Sequence, residues 1–147
     1  ISPTLAARLG EAFPETVVAY KDSSGNWENT RAVIEAAPGI SVFPGSESFL
    51  VKAMKIGGGG GISERCNTNM AAIRALYDLA EAEEWEAAEA SLAPINLHRK
   101  AIQDGGLIPA LKALKAHRSG DARWLNLRPP LENADPAAGE PIARTLP

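Results

Sequence analysis

Two short apolar runs, Thr16-Val17-Val18-Ala19-Tyr20 and Ile40-Ser41-Val42-Phe43, each follow a stretch with helical periodicity. A third strand-like run, Gly57–Ser63, follows another such stretch. Helix and strand signals therefore alternate, at roughly 20 residues per unit. A strand that returns beside its predecessor through a helix must lie parallel to it, with a right-handed crossover. This alternation predicts an α/β fold with a parallel sheet. The strands are apolar without polar alternation, the pattern of strands covered on both faces.

The helices between them carry their own signals. Ser2-Pro3 reads as an N-cap with proline at the first helical position, Leu5, Leu9 and Phe13 share one face, and Pro14 stops the helix. Asn26 opens a second helix with Val33, Ile34 and Ala37 inward, closed by Pro38-Gly39. Ser46-Glu47-Ser48 caps a third. Beyond residue 66 the strand signals cease. Helices are predicted over 67–83, 85–103 and 107–115, and the proline-rich residues after 118 read as irregular, with one helical turn at most. The expected organisation is a sheet-bearing part over 1–66, a helical part over 67–131 and a tail over 132–147. No linker separates the first two. The opening helix has no strand before it, and three parallel strands alone leave two raw edges, so the chain reads as the C-terminal part of a larger fold.

Composition narrows the function classes. Net charge is -3 and the pI about 5.4, which argues against a general basic surface for nucleic acid. No apolar run reaches the roughly 20 residues of a membrane helix. No signal peptide opens the sequence, and the single cysteine, Cys66, permits no intrachain disulfide and no cysteine-based zinc site. A cytoplasmic protein is expected. His98 and His117 have no partners at metal-ligand spacing and read as surface helix residues. Cys66 reads as a small buried side chain, and Trp27, Trp85 and Trp124 as packing residues. Glu81–Glu84 reads as a solvated helix junction.

Three places could carry chemistry. Lys21 ends a predicted parallel strand, where active sites of α/β barrels and open sheets lie. A lysine there is a candidate Schiff-base nucleophile, because attack on a carbonyl needs the neutral amine, which desolvation favours. By position alone it reads equally as a solvated strand-end lysine. Gly45-Ser46-Glu47-Ser48 follows the next strand, on the same rim, and opens a helix whose amides suit a carboxylate. Taken alone it reads as a plain cap. Gly57–Gly61 with Ile62-Ser63 lacks both the phosphate-loop lysine and the dinucleotide order, and reads as a tight bend or a close backbone approach.

Together these pieces resemble a known family. Val17-Val18-Ala19-Tyr20-Lys21-Asp22-Ser23-Ser24-Gly25 is similar to the Schiff-base lysine segment of the dihydrodipicolinate synthase / N-acetylneuraminate lyase superfamily. Val42-Phe43-Pro44-Gly45-Ser46-Glu47 resembles its next strand and substrate turn. Gly57–Ser63 with Asn67 resembles its last barrel strand. Leu107-Ile108-Pro109-Ala110-Leu111-Lys112 and Arg128-Pro129-Pro130-Leu131 resemble its C-terminal helical appendage.

The resemblance implies strands six to eight of a (β/α)₈ TIM barrel followed by that appendage. It also implies a class I aldolase or lyase in which Lys21 attacks the keto carbon of pyruvate or another 2-keto acid, with no metal or organic cofactor. Ser23 matches a position that contacts substrate hydroxyls. Gly45, Glu47 and Ser48 match the turn that reads the distal part of the substrate, and Ile62 and Ser63 the strand end beside the pyruvate moiety. The full-length family member is expected to be a homotetramer. The chain departs from the family at Ser46-Glu47-Ser48, where the synthases carry Asp-Asp after the glycine and the sialate lyases an Asp-Glu pair. It departs again at Glu64-Arg65-Cys66, where small residues are usual. Those departures match neither named specificity, and aldolases or dehydratases of 2-keto-3-deoxy sugar acids are at least an equal expectation. The family's proton-relaying tyrosine and its pyruvate-carboxylate loop have no counterpart here, so this chain by itself is expected to be catalytically incomplete. The competing expectation is a paralogue of the same fold that binds a ligand or partner without turnover.

Overall fold

The computed structural model describes residues 1–147. Helix α1 spans Pro3–Ala12, strand β1 Ala19–Asp22, α2 Trp27–Ala36 and β2 Ser41–Pro44. A short 3-10 turn, Glu47–Phe49, leads into α3, Leu50–Lys55. Then come α4 (Cys66–Glu81), α5 (Trp85–Asp104), α6 (Ile108–Ser119) and α7 (Gly139–Ala143). The chain forms two compact units, Ile1–Glu64 with Ile73–Ala90, and Arg65–Ala72 with Ser91–Pro147.

In the first unit β1 and β2 pair in parallel, Ala19 opposite Ser41 and Asp22 opposite Pro44. The caps are those expected. The Ser2 hydroxyl accepts the Leu5 N–H, and Asn26 Oδ1 accepts the Glu28 N–H at 3.0 Å. The core joins Ala6, Val33, Ile34, Val42 and Ala53, with Tyr20 and Trp27 packed against it. Trp27 meets Phe49 edge-on at 5.7 Å, confirming it as a packing residue.

Three expectations are corrected here. The inward face of α1 is not Leu5 and Phe13, which are 42% and 55% exposed, but Ala6. Helix α1 approaches Ile40 closely on this side: a Cβ on Gly10 would sit 2.8 Å from Ile40 Cδ1, so a larger residue there would displace the Ile40 side chain. Within this chain the strands are covered on one face only. Tyr20, Asp22, Val42 and Pro44 point to the buried side, whereas Ala19, Lys21 and Ser41 are exposed. Helices α2 and α3 both pack on β2.

The third predicted strand is not a regular one. Gly59 N–H donates to Val42 O and Ile62 N–H to Pro44 O, so residues 59–62 run beside β2. Three residues on one side span two on the other, and that extra residue, with Gly60 at φ 132°, breaks the ladder. The glycines here admit neighbours. A Cβ on Gly59 would lie 2.9 Å from the Phe43 ring, and one on Gly60 3.2 Å from Tyr77.

In the second unit, Ile102, Ala110, Leu114 and Ile142 form the core. The tail is not irregular throughout. Pro136–Ala138 forms a 3-10 turn that continues into α7, and both pack on α6. Ile142 is 6% exposed and Ala134 5%. A Cβ on Gly139 would lie 2.6 Å from Ala113 O, so this glycine lets α7 approach α6. Helix α6 extends to Ser119 and ends on Gly120 in the left-handed conformation, a common helix stop. His98 is not a surface residue. It is 1% exposed, with Nδ1 2.9 Å from the Thr145 hydroxyl and Nε2 3.3 Å from that of Thr68. Cys66 is half-buried at the start of α4. No helix is long and apolar enough to cross a membrane.

Candidate active site

Parallel pairing sends the chain out of β1 and β2 at the same edge. The loops 22–26 and 44–49 therefore meet there, and the Gly45 N–H donates to Asp22 O at 2.7 Å. The approach favours glycine: a Cβ on Gly45 would lie 3.1 Å from Asp22 O and 3.3 Å from Ser23 Cα, tighter than ordinary contact. Ile62, bonded through its N–H to Pro44 O, brings Ser63 to this same edge. The structure thus gathers Ser23, Gly45, Glu47, Ser48, Ile62 and Ser63 at one end of the sheet.

Lys21 is the penultimate residue of β1 and lies opposite Phe43 in register. Residues alternate sides along a strand. Lys21 therefore shares a face with Ala19, Ser41 and Phe43, the open face, and its side chain is exposed.

Asp22, one residue on, points the other way and is 3% exposed. Its Oδ1 accepts the Ser24 N–H at 3.0 Å, an Asx turn. Its Oδ2 accepts the Thr30 hydroxyl at 2.5 Å and the Ser24 hydroxyl at 3.1 Å. Burial alone would push this carboxyl up. The donors Thr30, Ser24 and Asn29 outweigh burial and hold its pKa below the ordinary value. Burial, and then the Asp22 carboxylate, push the Tyr20 phenol up. Asp22 and Thr30 were missed as a site feature. The only local signal was the Asp-Ser-Ser turn, and the Thr30 contact spans a helix entry that periodicity does not reveal.

Glu47 and Ser63 meet. The Ser63 hydroxyl donates to Glu47 Oε2 at 2.7 Å, and the two residues are 9% and 1% exposed respectively. Ser46 caps the 3-10 turn by accepting the Ser48 N–H at 3.3 Å. Ser23 and Ile62 are exposed and Ser48 half-buried. Arg65, in the Glu64-Arg65-Cys66 departure, is 5% exposed. No group of three or more His, Cys, Asp or Glu side chains is arranged to hold a metal.

The fold is shared with known proteins. The chain is 27% identical to dihydrodipicolinate synthase from Agrobacterium tumefaciens, at a TM-score of 0.69, over 98% of this chain and 47% of that one. N-acetylneuraminate lyase from Fusobacterium nucleatum, solved in complex with pyruvate, shares the fold at a TM-score of 0.76 and 22% identity, over 94% of this chain and 47% of that one. A variant of the Sulfolobus solfataricus 2-keto-3-deoxygluconate aldolase shares it at a TM-score of 0.76 and 16% identity, over 95% of this chain and 47% of that one. An uncharacterized DapA-like lyase of Chloroflexus aurantiacus is 31% identical over 94 residues, which is 63% of this chain and 30% of that protein. The chain spans about half the length of the solved relatives it matches. It matches the dihydrodipicolinate synthetase family over residues 1–146, and so the chain belongs to that family.

Proposed function

We propose that this chain forms strands six to eight and the helical appendage of a (β/α)₈ lyase whose Lys21 makes a Schiff base with pyruvate or another 2-keto acid. The observation that carries the reading is the placement of Lys21. It stands at the C-terminal end of a parallel strand, on the sheet face that stays open, beside the rim that gathers Gly45, Glu47 and Ser63. The family membership supports the lyase class.

The chemistry runs as follows. The neutral Lys21 Nζ attacks the keto carbon, forming a C–N bond as the carbonyl electrons move to oxygen. Loss of water leaves a protonated imine. That cation accepts the electron pair of the breaking C–C bond while the substrate hydroxyl gives up its proton and leaves as an aldehyde. The resulting enamine takes a proton on carbon, and hydrolysis frees the keto acid and Lys21. Condensation is the same path reversed; in dehydration the imine takes up the electrons of an adjacent C–H bond as its proton leaves, and the enamine so formed expels a hydroxyl group, with a proton, as water. Ser23, Ser48 and the Ile62 strand end contact the substrate. Glu47 and Ser63, bonded to each other, hold the two rim loops in register around it, and Gly45 gives the loops room. The departures at Ser46-Glu47-Ser48 favour 2-keto-3-deoxy sugar acids over the synthase and sialate substrates.

The half chain lacks partners for proton transfer, so turnover belongs to the full-length protein, which assembles as a homotetramer. The test is borohydride trapping with pyruvate, on this chain and on a version extended upstream to the length of its relatives, with the adduct located by mass spectrometry. A reduced pyruvyl adduct on Lys21 of the extended protein is expected. None with any 2-keto acid, in a folded extended protein, leaves the binding paralogue as the reading.

A further inference from the structure

The second unit contains a cleft of about 370 Å³ that the Schiff-base chemistry does not use. Leu111 and Trp124 supply its apolar wall, Asn67 and Thr68 a polar edge, and Lys112 and Lys115 its charge. The two lysines lie one turn apart on α6. Their ammonium groups are 4.5 and 5.5 Å from the centre of the Trp124 ring. Neither lysine forms an ion pair, and no acidic side chain lines the cleft. The acid nearest in sequence to Trp124, Asp121, is already paired with Arg123 at 2.7 Å.

An adjoining cleft of about 240 Å³ shares Asn67, Thr68 and Lys115 and adds Arg118, again without an acid. Positions 112, 115 and 118 form one ridge of a helix. Arg118 is fixed by donating to Thr68 O at 3.1 Å. Like charges gathered in a concave site repel one another. The indole face lowers that cost through cation–π attraction but does not neutralise the charge. A bound anion would. At about 370 Å³ the site lies at the small end of the range for ligand pockets, which suits a compact molecule.

We propose that this cleft is a binding site for a small organic anion, a carboxylate or phosphate held by Lys112 and Lys115, with a short apolar body against Leu111 and Trp124. The proposal does not depend on the Schiff-base reading. The test follows the indole N–H resonances of Trp27, Trp85 and Trp124 by NMR. The probes are inorganic phosphate, phenyl phosphate and phenylacetate, each with sodium chloride at matched ionic strength as control.

A saturable shift confined to Trp124 is expected, with phenyl phosphate binding more tightly than inorganic phosphate. The phosphate and phenylacetate arms decide which anionic group the site prefers. The K112M/K115M variant should bind at least about tenfold more weakly, because charge-assisted hydrogen bonds are lost, while K112R/K115R retains binding. Unchanged amide resonances of Ile102, Leu114 and Ile142, in the core of the second unit, certify the fold of each variant. The proposal is overturned if no probe moves Trp124 beyond the chloride control, or if K112M/K115M binds as tightly as the parent protein.

Discussion

The Ser63 hydroxyl donates to Oε2 of Glu47 across 2.7 Å, and the bond joins the loop after β2 to the end of the glycine-rich segment. Both residues are buried, so water does not readily replace either partner. Ser63→Ala leaves a buried carboxylate oxygen short of a donor. Such a loss costs about 1–3 kcal/mol. Urea denaturation of S63A should show a lower midpoint at unchanged slope, and an unchanged midpoint would dismiss the bond as a tie between the loops.

Lys21 offers the complementary case. Its side chain is exposed, so its removal leaves no cavity. Lys21→Ala should stay within about 0.5 kcal/mol of the parent in stability, the usual range for surface substitutions. It should also lose all borohydride-trapped adduct at this position in the extended protein. A large stability loss would mean that the lysine serves the fold.

Asp22 predicts a pH dependence. Its folded pKa is lowered, because donors from Thr30, Ser24 and Asn29 outweigh the burial that would raise it. A lowered carboxyl contributes stability that is complete above the unfolded value of about 3.9 and fades as pH falls through the folded value. Stability of the parent should therefore drop on acidification below about pH 4 more steeply than that of Asp22→Asn. Denaturation midpoints measured across that range decide it, and parallel curves would remove Asp22 from the account. Thr30→Val, which deletes the 2.5 Å donor, should flatten the curve in part.

Gly45→Ala tests the closeness of the two rim loops. The new Cβ would meet backbone, Asp22 O at 3.1 Å and Ser23 Cα at 3.3 Å, which cannot swing aside as a side-chain tip can. The bond from Gly45 N–H to Asp22 O should lengthen. Adduct formation on Lys21 of the extended protein should slow, with a stability loss of about 1–3 kcal/mol, as for overpacked positions. Wild-type trapping rates in G45A would show that loop spacing does not matter to Lys21.

The tail predicts a stability effect remote from the site. Ile142 is 6% exposed in the core of the second unit. Ile142→Ala should cost about 2–5 kcal/mol. Hydrogen exchange should report the loss in the amides of α6, against which α7 packs. No change there would mean that the tail is merely laid on the surface.

Much of the fold was readable because its signals are local. Ser2, Asn26 and Ser46 are caps whose side chains bond amides two or three residues on, and such bonds need no tertiary partner to be foreseen. The parallel order of β1 and β2 followed from a helix lying between two apolar runs. Lys21 was readable as a candidate from the motif around it and its strand-end position. His98 was misread because its partners Thr68 and Thr145 lie 30 and 47 residues away, and no helical period announces such bonds. The same holds for α7, whose prolines argue for a loop until Ile142 finds the pocket under α6.

By itself, then, the amino-acid sequence determined the alternating elements, their caps, the parallel pairing and the family resemblance, since each depends on residues within a few turns of one another. Tertiary structure alone decided which face of β1 stays open for Lys21, that Glu47 and Ser63 are buried partners, and that the glycine run bulges to admit Phe43 and Tyr77. It also decided that Lys112 and Lys115 share one indole without a counter-charge. Those outcomes depend on which distant side chains compete for the same volume and the same hydrogen bonds, and that competition is settled only when the chain has closed on itself.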